Sequence, residues 1–116
     1  MLIGIKRIYD KPEVTDGQRM LVDRLWPRGV KKSTSNIDVW LKEIAPSDEL
    51  RKWFSHEPER WEEFKERYKK EIVGTKPFLE LLKTLKESDV TFVFAAKDVE
   101  HNNAVALAEF VRTAIS

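Results

Sequence analysis

Residues Val90-Thr91-Phe92-Val93-Phe94-Ala95-Ala96 form an almost unbroken apolar run. A strand with one wet face alternates apolar and polar residues, so a strand without that alternation must be covered on both faces. The run predicts a central strand over 90–96, in a sheet with helices on each side. Two further stretches supply strand partners. Residues 2–9 are rich in isoleucine and end in the turn material Asp10-Lys11-Pro12, and residues 19–25 begin apolar and stop at Trp26-Pro27. The segment between them has Asp16-Gly17 as its strongest turn signal and no helical period. It is shorter than the roughly dozen residues a parallel crossover needs, so local physics favours an antiparallel pair here.

The rest of the chain is helical in period. Ile37, Trp40, Leu41 and Ile44 lie at i, i+3, i+4, i+7, with Ser35 or Asn36 before them as N-cap and Pro46 after them. Ser47 caps a second, short helix whose buried face is Leu50, Trp53 and Phe54. Pro58 opens a third, with Trp61, Phe64, Tyr68 and Ile72 inward and a charge run outward that is a solvated face. Gly74 and Thr75 separate it from a fourth, striped by Phe78, Leu81, Leu82 and Leu85. Asn102 or Asn103 caps the last, which carries Ala104, Leu107, Ala108, Val111 and Ile115.

The 116 residues suit one domain over 1–116, with no repeat or linker. Net charge is +1, so no overall field drives the chain onto nucleic acid or membrane. No apolar run is long enough to span a bilayer, and the N-terminus does not read as a signal peptide. Cysteine is absent, which removes thiol chemistry and disulfides and suits a cytoplasmic protein. The two histidines are far apart in sequence and make a poor metal set, so no residue is assigned to a metal; a carboxylate-held Mg²⁺ stays open without a motif behind it, and the sequence leaves the cofactor unknown. Dinucleotide fingerprint, phosphate-binding P-loop and nucleophile elbow are all missing.

In open α/β sheets, ligands bind beyond the carboxyl ends of the strands. That rule selects Asp23, Arg24, Trp26 and Arg28 after the second strand, and Lys97, Asp98, His101 and Asn102 after the last. Arg24 and Arg28 offer forked donors for carboxylate or phosphate, and Lys97 adds a point charge. The helix start after Asn102 attracts anions, Trp26 offers a stacking face, and Asp98 and His101 are the acid–base candidates. Each has a structural alternative. Arg24 can neutralise Asp23 or Asp98, Trp26-Pro27 can be a packing lid, Asn102 is a helix cap first, and His101 can be a plain surface residue.

The strings Lys6-Arg7-Ile8-Tyr9-Asp10, Leu21 to Gly29, Leu50-Arg51-Lys52-Trp53-Phe54 and Ala95-Ala96-Lys97-Asp98 with His101-Asn102 resemble the YeaO-like branch of the domain-of-unknown-function 488 family. Val22-Asp23-Arg24-Leu25-Trp26-Pro27-Arg28-Gly29 is the most specific of them. The resemblance implies a small parallel α/β domain with the Val-Asp-Arg strand end facing a loop near the C-terminus. It argues against the antiparallel pair, and a parallel first strand would add Tyr9 and Asp10 to the rim. It brings no established activity. Family members often have His-Asn-His where this chain has His101-Asn102-Asn103, and the first of these positions varies, which moves weight from His101 to Arg24, Arg28, Lys97 and Asn102.

The sequence thus predicts an α/β domain of three layers, with a short, mostly parallel sheet (strands near 2–9, 19–25 and 90–96) flanked by about five helices. Its function class is an anion or phosphate site at the strand ends. That site belongs either to an enzyme acting on a nucleotide, a nucleic-acid end or another phosphate-bearing substrate, or to a non-catalytic module binding nucleic acid or protein.

Overall fold

The computed structural model describes residues 2–115. Its sheet holds β1 (Ile3–Arg7), β2 (Gln18–Leu21), β3 (Val39–Trp40) and β4 (Val90–Phe94), all parallel, in the order β1-β4-β2-β3. The helices are α1 (Asp48–Phe54), α2 (Trp61–Ile72), α3 (Lys76–Glu87) and α4 (Asn103–Ile115). The α/β class and the parallel sheet agree with the sequence reading. The α-helices among the described residues number four rather than about five.

Every residue of β4 is buried, and β4 pairs with β1 on one side and β2 on the other. Its side chains alternate between faces. Phe92 and Phe94 join Met20, Val22 and inward residues of all four helices in the main core. Val93 turns the other way, with Leu21 and Ile8, against Trp26, Val30, Ile37 and Trp40. Helices therefore cover one face and irregular chain covers the other, where helices on each side were expected. An apolar run demands two dry faces without dictating what dries them, and two tryptophans bring enough apolar area to do it.

The expected antiparallel pairing of the first two strands is corrected to parallel. They are not neighbours, because β4 lies between them. Residues 8–17 make the crossing with one 3₁₀ turn, Val14–Asp16, in place of a helix. The return depends on Gly17, whose φ is 64°. A Cβ there would lie 2.3 Å from the Asp89 carbonyl oxygen, the group that accepts the Gln18 N–H.

The helix expected over 37–44 is also corrected. That stretch is the edge strand β3 followed by a 3₁₀ turn, Lys42–Ile44. Its apolar residues do not share a face: Ile37 and Trp40 join the loop-covered cluster, while Leu41 and Ile44 join the helical core. Neither expected cap starts a helix here. Asn36 takes a positive φ of 57°, and the Asp38 N–H donates to Arg19 O at 2.8 Å, which begins the pairing with β2.

The other helices follow their signals. Ser47 and Thr75 each accept the N–H three residues on, from Leu50 and Phe78. Trp61, Phe64, Tyr68 and Ile72 are the buried stripe of α2, and the Tyr68 hydroxyl donates to Ile44 O at 2.7 Å. On its outer face Arg67 pairs with Glu63, acid first at i,i+4, the order that favours a helix.

Candidate functional site

The parallel sheet brings the carboxyl ends of β1, β4 and β2 to one rim, and the stretch 21–30 enters it from β2. Asp23 sits where three elements meet. One carboxylate oxygen accepts the Ala95 N–H at 2.9 Å, and the other accepts from Asn103 Nδ2 at 3.1 Å. Asn103 Nδ2 also donates to Val22 O, and the Asp23 carbonyl accepts Trp40 Nε1 at 2.7 Å. One residue thereby fastens the end of β2 to β4, α4 and β3. Burial raises its carboxyl pKa, against the pull of Asn103, the Ala95 amide and the Arg51 charge.

Beyond Asp23 the chain divides its side chains between the two faces. Arg24 goes to the helical side, where Nε donates to Pro46 O at 3.0 Å and Nη2 to Ala45 O at 3.1 Å. Trp26 goes to the loop side, packs edge to face on Trp40 with centroids 5.4 Å apart, and donates Nε1–H to Val30 O. That bond closes a tight turn in which Val30 N–H reaches back to Pro27 O and Gly29 has φ 80°. A residue with φ > 0 at the third turn position is the demand a type II turn makes of glycine. It leaves Arg28 at the tip, exposed. Space around Gly29 is open, so Gly29→Ala carries backbone strain alone. We expect a loss of roughly 1 kcal/mol, read as a thermal midpoint lower by a few degrees.

The facing wall is the loop from β4 into α4. Asp98 organises it: Oδ1 accepts the N–H groups of Glu100 and His101, and Oδ2 lies 2.9 Å from His101 Nδ1. The Glu100 amide chiefly, with help from His101 and against some burial, lowers the Asp98 pKa. The His101 ring meets the Trp61 ring edge on at 5.4 Å. Asn102 is buried and caps α4, accepting from Val105 N–H while its own Nδ2 donates to Asp98 O. Lys97 is exposed.

Of the expected site residues, the structure gathers Asp98, His101 and Asn102 into one hydrogen-bonded loop and sends Arg24 and Trp26 to opposite sides of the sheet. Three residues central to the rim lie outside the expected set. Asn103 reads from the sequence only as a cap, although a second asparagine beside Asn102 is one more than a cap needs. Arg7, on β1, donates to Ala95 O and Ala96 O and stacks over Tyr9. Arg51, paired with Asp48, adds its charge near Asp23. Tyr9 joins the rim as the parallel reading implied, and Asp10 caps the β1 end by accepting the Arg7 N–H. Among the described residues no group of three His, Asp or Glu side chains is placed to hold a metal ion, and no helix is long and apolar enough to cross a membrane.

A second polar cluster lies under the β1–β2 crossing. Asp16 accepts from Arg19 Nη1 at 2.6 Å and pairs with Lys6 at 2.8 Å, while Arg19 Nε donates to Asn36 O. Asp16 and Arg19 are only 5% and 4% exposed.

Fold and rim together define a small parallel α/β domain in which a Val-Asp-Arg strand end is latched to the start of the last helix. Over residues 2–116 the sequence matches the family described as the inactive DUF488-N3 subclade, and the chain belongs to it. It is 42% identical over 114 residues to the uncharacterized protein YeaO of Escherichia coli (strain K12), covering 97% of this chain and 99% of that one. It is 40% identical over 109 residues to the uncharacterized protein Rv3073c of Mycobacterium tuberculosis (strain ATCC 25618 / H37Rv), covering 94% and 92%. No solved structure matches it.

Proposed function

We propose that this is a non-catalytic binding domain that takes an anionic, phosphate-bearing ligand at the rim through Arg28 and Lys97. One observation carries the reading: the rim groups suited to moving a proton or gripping a transition state are engaged by the fold itself. Asp23 accepts from Ala95 and Asn103, Asp98 holds its loop and His101, and Arg24 donates to two backbone carbonyls. Arg28 and Lys97 are exposed, in the segments that follow β2 and β4. The family's description as an inactive subclade supports the same view. The cysteine-free chain suits a reducing cytoplasm, where we place its work.

Two measurements test this. Phosphomonoesters, phosphodiesters and nucleotides incubated with the protein, with and without Mg²⁺, should show no turnover. Calorimetric titration with inorganic pyrophosphate should show affinity that falls with salt, because exposed charges are screened. The double variant Arg28→Ala, Lys97→Ala should weaken that affinity by about tenfold or more, as expected when charge-assisted hydrogen bonds are removed, with an unchanged unfolding midpoint. Turnover that disappears in Asp98→Asn would establish an enzyme instead. Affinity indifferent to the double variant would remove the rim as the site.

A further inference from the structure

The layer over the second sheet face carries a charge imbalance that the whole chain lacks. With Arg24 turned to the helical side, residues 22–42 leave Arg28, Lys31, Lys32 and Lys42 against Asp23 and Asp38, while the chain as a whole is only +1. Both of those acids accept backbone N–H groups, from Ala95 and Arg19. The same layer presents two indoles. Trp26 and Trp40 are half-buried, with their N–H ends fixed on the carbonyls of Val30 and Asp23. Lys32 Nζ stands 5.5 Å and 5.6 Å from the two ring centroids, and Lys42 Nζ stands 4.7 Å from that of Trp40. Beside Trp40 and Lys42 a groove of about 350 Å³ opens between the sheet edge and α3. Its wall is apolar at Val39 and Leu81, with Gln18, Glu43, Glu80 and Thr84 as polar groups.

We propose that this surface binds single-stranded nucleic acid, with a base against the Trp40 ring and in the groove, and the backbone along Lys32 and Lys42. An exposed ammonium over an indole is held weakly, more weakly than a base stacked on the same ring. A base therefore displaces the lysine heads from the ring faces, and the freed ammonium groups turn to the phosphates. The groove chooses between polyanions. An acidic peptide would bring carboxylates towards Glu43 and Glu80, whereas a base brings neutral N–H edges that those carboxylates accept. A duplex keeps its base faces stacked on one another and offers the indoles nothing. The surface uses Lys32, Lys42 and Trp40, so its test is separable from that of Arg28 and Lys97.

The test is a titration of fluorescein-labelled oligo-dT and oligo-dA, about 12 nucleotides long, followed by anisotropy and tryptophan emission at several salt concentrations. Binding should quench tryptophan emission, and affinity should fall as salt rises. The variant Lys32→Glu, Lys42→Glu should bind about tenfold or more weakly, since it removes two cations that meet phosphates and adds repulsion. The control Lys69→Glu, Lys70→Glu, with the same charge change on exposed positions of α2, should stay within about twofold. In Lys32→Ala, Lys42→Ala the slope of log affinity against log salt should fall by about 1.4, roughly 0.7 for each phosphate of a single strand that is no longer neutralised. Absence of oligonucleotide binding, polyglutamate or duplex DNA binding as tightly as oligo-dT, or indifference to Lys32→Glu, Lys42→Glu would each overturn the proposal. Loss of pyrophosphate binding alone, with oligonucleotide binding kept, would refute the rim and leave this surface standing.

Discussion

Asp16→Ala is expected to destabilise the domain by roughly 3–5 kcal/mol at neutral pH, the usual cost of removing one partner from a buried ion pair. Asp16 is almost fully buried, and its two oxygens meet Arg19 Nη1, Lys6 Nζ and the Glu13 N–H. Its backbone carbonyl accepts the Thr91 hydroxyl at 2.7 Å, which ties the crossing to β4. Without the carboxylate, Arg19 stays buried with Nη1 unpartnered, and its Nη2 already has no hydrogen-bond partner. Asp16→Asn should cost nearly as much, because the uncompensated cation causes the loss. Burial alone would raise the Asp16 pKa, but hydrogen bonds from Lys6, the Glu13 backbone and Arg19 outweigh it and hold it at about 2. A folded-state pKa below the unfolded value contributes stability above the unfolded value and loses it as pH falls through the folded one. The stability gap between wild type and Asp16→Asn should therefore be full well above about pH 4 and narrow, without closing, as pH falls through about 2. Urea unfolding across that range measures it, and a gap below about 1 kcal/mol at pH 7 would refute the network's role.

Asp23→Ala is the second large effect, at roughly 2–4 kcal/mol for two N–H groups left without acceptors, that of Ala95 and one of the two on Asn103 Nδ2, whose other N–H keeps Val22 O. Asp23→Asn keeps the shape but turns one acceptor into a donor, which must face one of those two N–H groups, so it should recover only part of the loss. A local readout separates this from general weakening: the Ala95 amide should exchange with solvent faster, while the amides of α3 keep their rank. The pH dependence has the opposite sign to that of Asp16. Burial raises the folded-state pKa of Asp23, so the fold binds its proton more tightly than the unfolded chain does. Stability from this group falls as pH rises from the ordinary carboxyl value to the raised one, and is level above. Asp23→Asn should flatten that fall.

Local periodicity was enough to find β4 and the helices α2, α3 and α4, because each rests on neighbours along the chain and on a nearby cap such as Thr75. It failed at 37–44. A helical spacing of Ile37, Trp40, Leu41 and Ile44 also arises when an extended chain passes along a sheet edge and drops side chains on both sides. Strand direction failed for a related reason, since β1 and β2 are separated by a strand that comes 69 or more residues later in the chain. The rim was legible as a place where strand ends gather, but the roles within it were not. The partners of Asp23 lie 72 and 80 residues away, and those of Arg24 are backbone carbonyls, which carry no mark in a sequence. Arg19 read only as a strand residue, because nothing local signals an arginine that neutralises a buried acid.

The account turns on whether the Val-Asp-Arg stretch latches the fold or grips a ligand, and Arg24→Met separates the two. If Arg24 holds Ala45 and Pro46, the variant loses about 1–3 kcal/mol of stability, while its affinity for pyrophosphate, measured below the unfolding transition, stays within about twofold of wild type. An unchanged unfolding midpoint with affinity lowered about tenfold would contradict the account and make Arg24 a ligand-binding residue.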